Sequence, residues 1–198
     1  KCFSYLIEYL NLNKEISCIT PKIINSNGHL QVSCKRSLPT IRNSFYKFAK
    51  IDKIFSDSKS ISEYNLLYVD EDEITQVDVI SGAFMLFRNE VIQKVGKFDE
   101  QFYLYGEDID YCKRMKSHNF KIIYYPLAKA IHYKGISSES HPFSAIYHFH
   151  SSMIKYFKKY RNEYQSWKIS CYLIIFFITI KKYLAYLYLI FKQSFKLK

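Results

Sequence analysis

The stretch from Phe98 to Arg114 constrains this chain most, because it sets Asp99, Glu100, Glu107, Asp108 and Asp110 among the rings of Phe98, Phe102, Tyr103, Tyr105 and Tyr111 around one glycine, Gly106. Carboxylates crowded against apolar rings are costly unless their charge is used, and a general base or a metal ligand is the common use. A helix is predicted from Gly106 or Glu107 to about Ser117, with Asn119 as its stop. Its acidic first turn suits the helix dipole in any protein, so acidity alone carries no function. Asp110 and Arg114, four apart, predict an ordinary helix-face pair worth about a few tenths of a kcal/mol.

The rest of the chain alternates helical and extended patterns. Phe3, Leu6, Ile7 and Leu10 form the stripe of a short amphipathic helix ending near Asn11 to Asn13. Ile16 to Thr20 reads as a strand closed by Pro21, Asn25-Ser26-Asn27-Gly28 as a turn, and Leu30 to Ser33 as a short returning strand. Residues 35 to about 75 lack sustained periodicity and hold the acidic run Asp70-Glu71-Asp72-Glu73, which predicts a mobile or partly helical excursion. Val77 to Phe87 reads as a buried strand interrupted at Ser81-Gly82-Ala83, where small side chains admit a ligand or another backbone. Asn89 is placed to cap a helix from Glu90 to Val95 that Gly96 ends. Phe120 to Tyr125 predicts a strand ended by Pro126, and Ala130 to Tyr133 a further extended piece. This is an α/β pattern.

At 198 residues and 48% hydrophobic, the chain is long enough for one core and an appendage. Its charge of +11 is uneven: residues 1–150 carry a net +2, and residues 151–198, with ten Lys or Arg against one acid, a net +9. A nucleic-acid reader spreads its cations over the folded domain, so no nucleic-acid partner is expected. A cationic tail rich in Leu, Ile, Phe and Tyr suits an anionic membrane surface instead. Five cysteines without a C-x-x-C pair predict reduced thiols in a cytosolic compartment and no structural zinc.

From Ser151 the chain reads as basic helix. Ile169 to Ile180 is almost wholly apolar, and Lys181-Lys182 separates it from Tyr183 to Phe191. Twelve residues span about 18 Å, short of the roughly 30 Å hydrocarbon core, and two lysines would sit mid-membrane if the whole stretch crossed. An interfacial helix or helical hairpin is predicted rather than a span, with the lysine stems snorkelling toward phosphates.

These spaced motifs, in order, resemble the C-terminal half of glycosyltransferase family 2, especially its rhamnosyltransferase-like members. The resemblance runs from about Ile16 through Ser151. It rests on Ile19-Thr20-Pro21-Lys22-Ile23, Asn27-Gly28, the set Gln31, Ser33, Cys34 and Arg36, the Val77–Arg88 segment, the Phe98–Arg114 run, Pro126, Ala128 and His132, and Ile136-Ser137-Ser138. It implies a GT-A type fold and inverting transfer of a sugar, rhamnose first, from a nucleotide-diphosphate donor to a glycan or lipid-linked acceptor. The family's acidic dipeptide falls on Glu107 and Asp108, with the base role on Asp108, which takes the acceptor's proton as its oxygen attacks the anomeric carbon. Ser81, Gly82 and Ala83, bracketed by Asp78 and Arg88, would line the substrate cleft, with Asp99 and Glu100 beside it. His132 would help hold a divalent cation, Mg²⁺ or Mn²⁺, on the donor pyrophosphate. No Gln-x-x-Arg-Trp occurs, which implies single addition.

The resemblance also implies a nucleotide-binding half with an Asp-x-Asp motif before the segment that starts at Lys1. The expected organisation is therefore residues 1–150 as the acceptor-side part of a transferase domain and 151–198 as a basic helical tail, on the cytoplasmic face of the cell membrane. Two other readings remain. One is a truncated, inactive remnant that binds at most glycan or membrane; the other is a membrane-surface adaptor whose tail is the working part.

Overall fold

The computed structural model describes residues 1–133 and 140–196. It divides into two compact units, Lys1–Asp99 with Asp108–Lys134, and Glu100–Glu107 with Gly135–Lys198.

The first unit is α/β, built on a four-stranded sheet in the order β3-β6-β1-β5. Its centre is the parallel pair β1 (Ile16–Ile24) and β6 (Lys121–Ile131). Strand β5 (Leu86–Phe87) runs antiparallel to β1, and β3 (Thr75–Gln76) antiparallel to β6. The first eight residues of β1 are all buried, as a strand covered on both faces must be. Helix α1 (Cys2–Leu12) covers one face, where Leu6 and Leu10 meet Ile16, Ile19, Ile123 and Tyr125. The other face packs Cys18, Ile122 and Tyr124 against Val91 of α4 (Asn89–Val95) and Tyr111, Cys112 and Met115 of α5 (Glu107–Ser117).

Neither proline ends its strand. The register jumps from Pro21↔Tyr125 to Lys22↔Lys129, so Pro126 to Ala128 bulge out of the ladder where a missing N–H costs nothing. Both strands resume beyond, which makes Ala130 and Ile131 part of β6. The turn at Asn25 forms as expected: Asn25 Oδ1 accepts from the N–H groups of Asn27 and His29 at 3.0 Å, and Gly28 sits at φ 80°. Leu30 makes only a single bridge to Ile24, and Val32–Cys34 is a 3₁₀ turn rather than a strand.

The excursion is ordered by polar anchors that have no sequence period. It holds β2 (Lys35–Arg36), α2 (Ile41–Phe48), α3 (Ile51–Ile54) and a 3₁₀ turn at Glu63–Asn65. Thr40 and Asn43 cap α2 reciprocally. Two members of the acidic run are spent on the central strand: buried Lys22 donates to Glu71 at 2.9 Å and Asp72 at 2.7 Å. The predicted Val77–Phe87 strand is two short ones, β5 and β4 (Val79–Ile80), because β4 leaves the main sheet to pair with β2. Asn89 is the first residue of α4 rather than its cap, a place taken by Arg88 without a side-chain bond.

The second unit is helical. Helix α6 (Pro142–Lys159) begins earlier than Ser151, a 3₁₀ segment follows at Arg161–Trp167, and α7 (Lys168–Lys196) is one continuous helix. Lys181-Lys182 therefore interrupts the composition but not the helix, and no hairpin forms there. Gln101 to Gly106 lies along α6, with Ser152 Oγ donating to Leu104 O at 3.0 Å and Lys155 Nζ to Gln101 O at 2.6 Å.

Candidate active site

Asp108 stands in the first turn of α5, where the helix dipole favours its charge, and it is 9% exposed. Its Oδ2 accepts from Arg36 Nη2 at 2.6 Å and from the Gly82 N–H at 3.2 Å, and its Oδ1 accepts from the Ile109 N–H at 2.8 Å. Arg36 is placed by the β2–β4 pairing and also donates to Ile80 O at 3.3 Å. Desolvation works against its charge, but Asp108 first and Tyr64 second outweigh it and hold the guanidinium above its ordinary value. One cation thus ties the acid of α5 to the end of β4, from which Ser81-Gly82-Ala83 departs.

That segment is a turn, with Phe84 N donating to Ser81 O at 3.1 Å and Ala83 N to Ser81 Oγ at 3.3 Å. Gly82 and Ala83 are exposed, so the turn puts a small-residue surface next to a buried carboxylate. The bracketing pair behaves differently. Asp78 accepts from Leu38 N and Lys116 Nζ, while Arg88 donates to Ile16 O, Leu10 O and Asn13 O, tying the end of α1 to the start of β1.

Glu107 is half-buried at the start of α5. Asp99 is half-buried and Glu100 exposed, and the division between the two units falls between them. Asp110 is fully buried, unlike an ordinary surface pair. It accepts from Arg114 Nε at 2.9 Å, and Arg114 also reaches Val95 O and Lys97 O.

His132 follows the end of β6, with its N–H on Ile24 O at 2.9 Å. Gln31 holds it from the side, donating Nε2 to His132 O at 2.5 Å, while His132 Nδ1 meets Gln31 Oε1 at 2.9 Å. An amide oxygen accepts only, so Nδ1 is the donor to Gln31 and Nε2 is the ring nitrogen left for a ligand. That is the orientation a metal needs. Among the described residues, however, no three His, Cys, Asp or Glu side chains are gathered to hold an ion, so His132 supplies at most one donor. Ile136-Ser137-Ser138 lies outside the described residues.

Arg36 and Gln31 are the residues that sequence reasoning undervalued. Both figured only as parts of a matching pattern. The available signal was a basic residue in an extended stretch with no acid nearby in sequence, which asks for a distant partner.

The profile of the family described as "Glycosyltransferase like family 2" matches residues 50–167, more than half of the chain. The chain belongs to this family. Its α/β unit, with a parallel pair at the centre, agrees with a GT-A type half domain. Rhamnosyltransferase WbbL of Escherichia coli is 35% identical over 88 residues, 44% of this family 2 chain and 33% of that protein. An N-acetylglucosaminyl-diphospho-decaprenol L-rhamnosyltransferase of Mycobacterium tuberculosis is 33% identical over 73 residues, 37% and 24% of the two chains. The low-salt glycan biosynthesis hexosyltransferase Agl10 of Haloferax volcanii is 27% identical over 116 residues, 59% and 33%. The matched part thus spans a third or less of these relatives. No solved structure gives a significant match.

Proposed function

We propose that this chain carries the base-bearing, acceptor-side part of an inverting, single-addition glycosyltransferase. It would move a sugar, rhamnose first, from a nucleotide-diphosphate donor to a glycan or lipid-linked acceptor at the cytoplasmic face of a membrane. The observation that carries the reading is the buried Asp108 carboxylate, fixed by Arg36 and the Gly82 N–H beside the exposed Gly82-Ala83 turn. Oδ2 is engaged twice, whereas among the described residues Oδ1 accepts only the Ile109 N–H and keeps a lone pair for the acceptor's proton. As that proton moves to Oδ1, the acceptor oxygen bonds the anomeric carbon and the bond to the diphosphate breaks. The relatives named as rhamnosyltransferases and a hexosyltransferase support the class of group transferred. A divalent cation on the leaving diphosphate would need donors beyond His132, and no step here depends on it.

Asp108→Asn keeps the shape and removes the base. In the active protein containing this segment, turnover falls by about 10² to 10⁴ while donor affinity changes little. Near-normal turnover removes Asp108 from the mechanism. On this reading the nucleotide-binding half lies outside residues 1–198, so calorimetry of this chain with nucleotide diphosphates and Mn²⁺ shows weak binding, and micromolar affinity contradicts the reading.

The exposed apolar side of α7 favours a second reading, a membrane-binding module without catalysis. Under it, Asp108→Asn is silent and deletion of residues 167–198 abolishes function.

A further inference from the structure

We propose that α7 docks lengthwise on an anionic bilayer through one face, with Lys181 and Lys182 turned away from lipid toward α6. This deepens the membrane placement above by naming the face and its orientation.

By length and composition Ile169–Lys192 is long and apolar enough to cross a membrane, with mean hydropathy 1.8 over an 18-residue window of which only 11% is buried. Tyr172, Phe176, Phe177, Tyr183, Leu184 and Phe191 are between 50% and 68% exposed. At 3.6 residues per turn they occupy about 140° of the circumference and run about 30 Å along the axis. The only charges between Ile169 and Phe191 are Lys181 and Lys182. Both are half-buried, and Lys182 Nζ lies 4.3 Å from the centre of the Tyr147 ring of α6. The outward stripe is therefore free of charge along its length, which the linear sequence conceals.

The opposite face shows why α7 lies flat rather than crosses. Cys171, Ile174 and Ile178 are buried, Cys171 Sγ donates to Phe157 O, and Phe143 stacks on Tyr186. Helix α6 thus runs beside α7 from Cys171 to Tyr186. A crossing α7 would draw α6 into hydrocarbon with it, and α6 exposes Lys155, Lys158 and Lys159. Lying flat, α7 buries its stripe in the boundary region while α6 stays on the water side. The occupant is lipid because residues 151–198 carry ten cations to one acid, which an anionic sheet complements. The stripe's polar atoms are tyrosine hydroxyls, suited to headgroup level.

The test uses the full chain with phosphatidylcholine vesicles, with or without phosphatidylglycerol, in the absence of donor and acceptor. Its outcome is therefore independent of whether sugar transfer occurs. In a Trp167→Phe background, Leu173→Trp, Ile180→Trp and Leu187→Trp report depth through brominated lipids. Equal, shallow quenching at all three is expected, with partitioning that rises with phosphatidylglycerol and falls with salt. Phe177→Glu with Leu184→Glu weakens partitioning at least tenfold. Lys181→Gln with Lys182→Gln changes it by no more than about threefold near physiological salt, because the amines stand about a Debye length from lipid. Quenching deepest at Ile180 would mean a span and overturn the proposal. So would absent vesicle binding, with or without self-association in sedimentation.

Discussion

Arg36 and Asp108, 72 residues apart in sequence, meet at 2.6 Å with side chains only 9% and 12% exposed. Breaking such a pair leaves an uncompensated buried charge, so Arg36→Met destabilises the first unit by about 3–5 kcal/mol. Arg36→Lys keeps the charge and restores part of that stability, and melting curves of the two variants beside the parent chain check it.

Gly106 is the second test position. Its φ is +84°, and a Cβ there would lie 3.2 Å from Phe102 Cδ1 and 3.3 Å from Ser152 Cβ. Gly106→Ala combines a left-handed backbone penalty of about 1–2 kcal/mol with a contact that must yield. Denaturant unfolding should show a loss of at least that size, whereas Gly28→Ala, with open space around its Cβ, loses only the backbone part.

His150 gives the helical unit a pH dependence. Burial first, then Lys181 and Lys182, push its imidazole below the ordinary value, against an opposing hydrogen bond to Ile146 O. The folded value lies below the unfolded one of about 6.5, so the unfolded chain binds more protons in acid. Stability is complete above about pH 6.5 and is lost as pH falls through the lowered folded value. Melting curves from about pH 8 to pH 5 show that loss, and His150→Asn flattens it.

Thiol reactivity is set by burial. The Cys112 thiol is pushed up to about 12, and Cys18 well above its usual value, chiefly by desolvation. Cys34 and Cys171 are buried, and Cys2 is half-buried. Titration of the native chain with a disulfide reagent should give one fast thiol, Cys2, and release the other four only on unfolding.

The sequence revealed elements wherever one periodicity or one turn residue sufficed. Leu6 and Leu10 announce α1, Gly96 at φ 80° ends α4, and Asn119 at φ 60° follows α5. It misled at Pro21 and Pro126, since a proline stops a strand only if its N–H is wanted, and whether a bulge removes that demand depends on the partner strand. The excursion was illegible because its order comes from long-range polar anchors such as Lys22 on Glu71 and Asp72. The site was half legible. Asp108 and the Gly82 turn stand out from local pattern, whereas Arg36 and Gln31 gain meaning only once the sheet brings them to Asp108 and His132. The side that Lys181 and Lys182 take was illegible for the same reason: linear spacing shows where a charge falls along a helix, and only packing shows which side it takes.

The bulge at Pro126–Ala128 makes the β1–β6 ladder two short zippers in place of one. The outer one, Lys22–Ile24 against Lys129–Ile131, bears the 25–31 turn and the Gln31–His132 clamp. It can open as a small unit while Ile122 to Tyr125 stay closed in the core, with a local free energy well under the global one. Hydrogen exchange should therefore separate the amides of Ala130 and His132 from those of Ile123 and Tyr124, and the histidine rides on the part of the sheet that breathes.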